Sequence, residues 1–157
     1  MIHFLIATHG HLAKGFKDTL QIILGKEAVS HVTALCLFSE DLPESEDGRT
    51  MIENFFSGLS REDQVVVLTD ILYGSVNQML LPYADDEKVW LLSGVNFPLL
   101  CELVSAVVYT GTEICLDVLR EMVEKGRKEL VLVNDELKKE SPKEEETSFF
   151  DEKEEEI

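Results

Sequence analysis

Three side chains in this sequence are spaced for chemistry at one edge of a sheet: His9, Asp70 and Ser75. His9 follows the apolar run Ile2 to Ala7 and sits in Thr8-His9-Gly10, where a strand pattern gives way to a helical one. Asp70 follows the run 64–69 (QVVVLT), and Gly74-Ser75 opens a helical pattern shortly after. Side chains at such junctions stand at the carboxyl edge of a sheet, beside helix N-termini. Open α/β sheets bind ligands at that edge, and helix N-termini attract anions. A histidine placed there can act as a nucleophile toward phosphorus. A carboxylate that accepts from one imidazole nitrogen fixes the tautomer and leaves the other nitrogen as the nucleophile. It also stabilises the cation formed when the ring is phosphorylated. The expected arrangement has Asp70 accepting from Nδ1 of His9 and Nε2 attacking. Ser75 and the backbone amides opening its helix suit phosphoryl oxygens. Thr8, Gly10 and Gly74 complete the candidate phosphoryl-binding set.

The same residue types have plainer uses. A histidine after a strand is more often a loop or capping residue, and an aspartate there a turn former or cap. What favours a site is that both residues end long buried-type runs of one inferred sheet. His11 falls on the first helical turn and is expected to be exposed, while His3 and His31 fall within strands and read as structural. His9 and His11 alone are too few for a metal site, so neither metal nor cofactor is expected. Gly10, Gly15 and Gly25 do not form a dinucleotide-binding fingerprint, and there is no phosphate-binding P-loop motif. Leu72 and Tyr73, apolar residues in the loop after Asp70, either fold back into the core or face a partner; Leu72 is read as facing a partner.

These residues need a scaffold, and the hydrophobic pattern supplies one. Residues 2–8 read as a strand and 11–25 as a helix burying Leu12, Phe16, Leu20, Ile23 and Leu24, with Gly25 as its stop. A strand over 29–37 and a polar loop, Ser39 to Asp47, follow. Met51, Ile52, Phe55, Phe56 and Leu59 then form a helical stripe. The run 64–69 is of the fully buried kind. A helix from 76 to 83 and a strand over 88–92 come next. Ser93, Gly94 and Asn96 form a turn at a third strand end, with Pro98 in the first turn of a helix reaching about Tyr109. Thr112 is positioned to cap a helix over 113–126, and 129–133 (ELVLV) reads as a last short strand. The alternation predicts an α/β fold: a doubly wound, mainly parallel sheet with helices on both faces.

Composition sets outer bounds. At 157 residues the chain reads as one domain, spanning 1–134, followed by an acidic tail over 135–157. The tail carries eleven acids and four lysines and is expected to be disordered or loosely helical from 137 on. Phe149 and Phe150 within it read as incidental, with a docking point as the alternative. The formal net charge of −17, without a basic patch, argues against nucleic acid as a partner. No apolar run approaches the roughly 18 residues a membrane span needs. The N-terminus lacks a signal-peptide pattern, and Cys36, Cys101 and Cys115 read as buried thiols in a reducing cytoplasm.

Three segments together carry a family resemblance: FLIATHGHLAKGFKDTLQIILG, VVVLTDILYGSVNQ and SGVNFPLLCELV. In order and spacing they resemble the EIIA domain of the mannose-type phosphotransferase system over roughly residues 1–130. The resemblance implies an α/β sheet whose last strand is antiparallel or swapped, and commonly a homodimer. It implies a histidine phosphorylated by the carrier HPr that passes its phosphoryl group to an EIIB domain, with the EIIC and EIID membrane subunits involved indirectly. The matching residues are His9 as nucleophile, Asp70 as carboxylate and Ser75 as phosphoryl contact. The loop departs from the family's usual Trp-Gly-Gly-Ser-Pro: it reads Leu72-Tyr73-Gly74-Ser75-Val76, replacing the tryptophan and one glycine. No EIIB domain follows, so the acceptor is expected to be a separate chain. A related subunit serving a dihydroxyacetone kinase, and a non-catalytic regulatory module on the same fold, are the alternatives.

Overall fold

Residues 1–39 and 47–140 are described in a computed structural model of the protein. The chain alternates β1 (Ile2–His9), α1 (Leu12–Leu24), α2 (Lys26–Val29), β2 (Val32–Leu37), α3 (Gly48–Ser57), β3 (Gln64–Thr69) and α4 (Ser75–Leu80). A short 3-10 turn (Leu81–Asp85), β4 (Val89–Ser93), α5 (Phe97–Thr110), α6 (Leu116–Lys128) and α7 (Val133–Glu140) follow. The strands form one sheet in the order β2-β1-β3-β4, every pair parallel. The register puts Ala7 opposite Thr69, so the ends of β1 and β3 lie side by side. That register brings His9 and Asp70 to one place.

The middles of both central strands, Phe4 to Ala7 and Val65 to Leu68, are continuously apolar because both of their faces are covered. Phe4, Ile6, Val66 and Leu68 face one core with Leu20 of α1, Leu100 and Leu103 of α5 and Leu119 of α6. Leu5, Ala7, Val65 and Val67 face the other, with Ile52 of α3 and Val76 and Leu80 of α4. The sheet is therefore doubly wound with helices on both faces. Asp47 caps α3 by accepting from the amides of Arg49 and Thr50 at 2.6 and 3.0 Å. Asn96 caps α5 by accepting from Leu99 N–H at 2.9 Å, and its amide donates to Gly126 O at 2.8 Å. Gly126 permits that approach, since a Cβ there would stand 2.7 Å from Leu99 Cβ.

The structure corrects several expectations. Residues 129–132 are not a strand, and Val133 already opens α7. Leu130, Val131, Leu132 and Val133 are all exposed. A strand needs a paired neighbour, and no strand of this sheet pairs with the segment. The buried face of α1 centres on Ala13 and Leu20, with Phe16 and Leu24 packed beside them, while Leu12 and Ile23 are exposed. β2 begins at Val32 because residues 26–29 form α2, which places His31 in the turn before the strand. α6 starts at Leu116 rather than 113; the Thr112 hydroxyl pairs with that of Thr110 instead of capping it. Cys36 and Cys101 are half-buried, but Cys115 is exposed. Burial pushes the Cys101 thiol up from its ordinary pKa. Residues 40–46 of the polar loop, and Phe149 and Phe150, lie outside the described residues.

Candidate functional site

β1 delivers His9 to the sheet edge and Gly10 turns the chain toward α1. Gly10 adopts a φ of +57°, a left-handed conformation that glycine takes at little cost. Its N–H donates to Leu37 O at 2.8 Å, tying the end of β1 to the end of β2. The Thr8 hydroxyl accepts from Ala13 N–H at 2.8 Å and is fully buried. Thr8 thus secures the start of α1. Its side chain is not open to a ligand, against the expectation that it would contact phosphoryl oxygens.

Asp70 is held by three donors. One carboxylate oxygen, Oδ2, accepts from the His9 backbone N–H at 2.9 Å and lies 2.8 Å from His9 Nδ1. The other, Oδ1, accepts from Ile71 N–H at 2.9 Å. Burial works to raise the Asp70 pKa. The backbone and ring bonds from His9, the charge of His9 and the Ile71 amide together outweigh it, and the carboxyl ends below its ordinary value. The Asp70 side chain is about one-tenth exposed and that of His9 about one-third (10% and 35%). The carboxylate is therefore sheltered while the imidazole keeps an open side. A Nδ1–H tautomer follows from a carboxylate partner, which accepts only. Nε2 then carries the lone pair, and the Ser75 hydroxyl, 2.7 Å away, donates to it.

The loop between Asp70 and Ser75 is built from below. Asn77, buried in the first turn of α4, accepts Tyr73 N–H at 3.1 Å through its side-chain oxygen. Its side-chain amide donates to Thr69 Oγ1 at 3.1 Å, and that hydroxyl donates to Leu92 O at 3.3 Å. The chain of bonds pins the loop to β3 and β4 and holds Tyr73 at a φ of +60°, strained for a side-chain-bearing residue. Gly74 keeps room beside the imidazole: a Cβ there would lie 3.2 Å from Ile71 O and 3.5 Å from His9 Cε1. Ile71, Leu72 and Tyr73 all project into solvent. Sequence reasoning did not pick out Asn77 as a site element. The available signal was a polar residue flanked by the buried positions Val76 and Leu80. It also missed Phe38, whose ring stacks on His9 at 5.5 Å between centroids and 21° between planes.

The profile of the family described as PTS system fructose IIA component matches residues 3–120. The chain belongs to that family. No match was found among curated proteins. Among solved structures, the fold is similar to that of a Klebsiella pneumoniae protein described as a phosphoenolpyruvate-dependent sugar phosphotransferase system permease. The TM-score is 0.74 at 26% identity, covering 87% of this chain and 93% of that one. A Streptococcus pneumoniae PTS IIA protein associated with a fucose utilization operon gives a TM-score of 0.67 at 27% identity, covering 87% and 96%. A phosphotransferase system EIIA component from Streptococcus agalactiae shares the fold at 24% identity, with a TM-score of 0.68 over 86% and 99%. The chain is thus a component of a sugar phosphotransferase system, a family of phosphotransfer proteins that work with other PTS partners.

Within this IIA fold the remaining candidates divide clearly. His11, just before α1, is exposed. His3 Nε2 lies 3.5 Å from Asp63 Oδ2, at the start of β1 and β3, the end of the strands opposite to His9 and Asp70. His31 Nδ1 lies 3.4 Å from Ile2 O. Gly94 and Asn96 engage Thr69 O, Leu99 N–H and Gly126 O and so organise β4, α5 and α6. Among the described residues no group of three or more His, Cys, Asp and Glu side chains could hold a metal ion. No helix among them is long and apolar enough to cross a membrane. A cleft of about 390 Å³ opens beside Ser75, lined also by Phe38, Arg49, Gln78 and Met79.

Proposed function

We propose that His9 is the phosphoryl carrier of this IIA component, taking the group from phosphorylated HPr and handing it to a separate EIIB subunit. The observation that carries the reading is the pairing of His9 Nδ1 with Asp70 Oδ2, which leaves Nε2, beside the Ser75 hydroxyl, as the nucleophilic nitrogen of a partly exposed ring. In the transfer, the Nε2 lone pair attacks phosphorus in line as the donor's N–P bond breaks. The Nδ1 proton stays on the ring, and Asp70 balances the positive charge that develops. Catalysis of this kind consists largely of positioning and charge stabilisation. Ser75 must release Nε2 for the bond to form, and its hydroxyl then turns to donate to a phosphoryl oxygen. The backbone at Gly74 borders the imidazole, and Gly10 follows His9 directly in the chain. Thr8 is omitted because its hydroxyl is already engaged with α1.

Several further points belong to this reading. Exchange takes place in the cytoplasm, and EIIC and EIID are reached only through EIIB. The domain is 1–134, with 135–157 as an appendage whose first residues continue α7 as far as Glu140. The chain works as a homodimer, supported by the exposed apolar run 130–133 and an apolar groove of about 320 Å³ between β4 and α6. The relatives described as sugar-system proteins favour EIIB as acceptor over a dihydroxyacetone kinase subunit. The test is incubation with phosphoenolpyruvate, Enzyme I and HPr, followed by EIIB. Acid-labile label on the wild type and none on His9→Ala supports the assignment. Label that persists in His9→Ala and vanishes in His11→Ala overturns it.

A further inference from the structure

Phe38 breaks two local rules at once. It is a side-chain-bearing residue in the left-handed region, at a φ of +55°, a conformation that favours glycine. It also leaves a large apolar ring about 60% exposed at the end of β2. What the ring does there is stack, offset and nearly parallel, on the imidazole of His9. The same ring lines the cleft shared with Ser75 and Arg49. Strained residues that persist at a site are held there by their surroundings and mark function.

The geometry around His9 shows what is missing without that ring. Asp70 on Nδ1 and Ser75 on Nε2 fix the imidazole within its own plane. With Cβ held by the backbone, these two contacts together define the ring plane, so when one of them is lost the tilt falls to the other and to whatever lies against the face. Once Nε2 bonds to phosphorus, the Ser75 contact to that nitrogen is necessarily lost. The phosphorylated ring, still protonated on Nδ1, is then cationic. An aromatic face attracts a cation.

We propose that Phe38 is a positioning residue for the phosphorylated imidazole: its ring sets the tilt of His9 and covers one face of the ring after Ser75 has let go. The inference rests on the carrier reading for its purpose. Its core, a stabilised phosphohistidine, is tested without any protein donor.

Phosphoramidate phosphorylates imidazole directly: its P–N bond breaks, the Nε2–P bond forms and ammonia leaves. Wild type, Phe38→Gly, Phe38→Leu and Phe38→Tyr are labelled in this way, with His9→Ala as the blank for the other histidines. Glycine accepts the backbone conformation, so its variant removes the ring without adding strain. Leucine keeps the bulk without the aromatic face. The expected result is that His9 phosphate hydrolyses about two- to five-fold faster in Phe38→Gly and Phe38→Leu, with Phe38→Tyr restored to the wild-type half-life. Transfer from HPr is expected to lose kcat in Phe38→Gly with little change in KM. Equal half-lives in wild type and Phe38→Gly, or a tyrosine variant as labile as the glycine one, overturn the proposal. So does failure of phosphoramidate to label His9 in the wild type. Labelling that works with phosphoramidate but not with HPr removes the carrier reading and leaves the stacking result standing.

Discussion

Oδ2 of Asp70 meets His9 twice, accepting the backbone N–H at 2.9 Å while lying 2.8 Å from ring Nδ1. One oxygen thereby fixes both where the strand ends and which way the imidazole turns. Asp70→Asn leaves an amide that can still serve the backbone N–H through its oxygen. That same oxygen can also accept from Nδ1, but the amide nitrogen then takes the place of Oδ1, where it cannot accept from Ile71 N–H, and the charge opposite the developing imidazolium is gone. Phosphorylation of His9 by HPr is expected to slow by about 10² or more. Rapid-quench labelling measures it, and a rate within a few-fold of wild type removes Asp70 from the mechanism.

The same contacts predict acid sensitivity. The folded Asp70 pKa is lowered below its ordinary value of 3.8 because the His9 and Ile71 bonds outweigh burial. A carboxyl depressed on folding adds stability at every pH above its unfolded value. That contribution is lost as pH falls through the folded value. Denaturant melts should therefore show a loss of stability beginning below about pH 4. Asp70→Asn should flatten that part of the profile, and an identical acid slope in both proteins would contradict the linkage.

Asn77 offers a separate test of how the loop is held. Asn77→Leu fills the buried space but leaves Tyr73 N–H without its acceptor and Thr69 Oγ1 without its donor. An unpaired buried polar group costs about 1–3 kcal/mol. Urea denaturation should register a loss of that size, and phosphorylation should slow because Gly74 and Ser75 are carried by the same loop. A variant as stable as wild type would show that the network does not hold the loop.

How much of this was legible in the residues depends on what each feature needs. β1 and β3 are readable because the middle of a strand covered on both faces runs continuously apolar, as in Phe4 to Ala7 and Val65 to Leu68. The helix–strand alternation then dictates a parallel sheet with a shared carboxyl edge, and His9 and Asp70 follow from it. The stripe of α1 was misjudged at Leu12 and Ile23 because apolar residues flank a helical face as well as fill it. The small Ala13, which is fully buried, carries little weight in a hydrophobic pattern. The run 129–133 has a strand's composition, but composition does not name the strand it would pair with. Phe38 and Asn77 were invisible for a related reason. A stacked ring and a buried amide acquire meaning only from the residues that three-dimensional folding brings beside them.

The acidic tail is expected to be dispensable. From Leu137 on, scarce aliphatic side chains leave little to bury. Truncation after Asp135 should change stability by less than about 0.5 kcal/mol and leave the phosphorylation rate unchanged. Thermal melts and the labelling assay check both, and a large loss of stability would show that the tail docks on the domain.

The run from Leu130 to Val133 presents four consecutive exposed aliphatic side chains where the chain enters α7. Across the sheet, β4 is an edge strand with only β3 as a neighbour, and a groove lined by Trp90, Leu92, Leu119 and Val123 lies between it and α6. An open parallel edge beside an apolar groove invites a strand from another chain. The run 130–133 has the composition to supply one. Exchange between two copies would bury both at once. The net charge of −17 opposes association through self-repulsion, so the dimer should strengthen as salt screens it. Light scattering at moderate salt decides the first half: a mass near 17.8 kDa means a monomer and ends the idea. Given a dimer, Leu132→Lys should dissociate it more than any substitution in the tail. A lysine variant that stays dimeric would place the interface elsewhere.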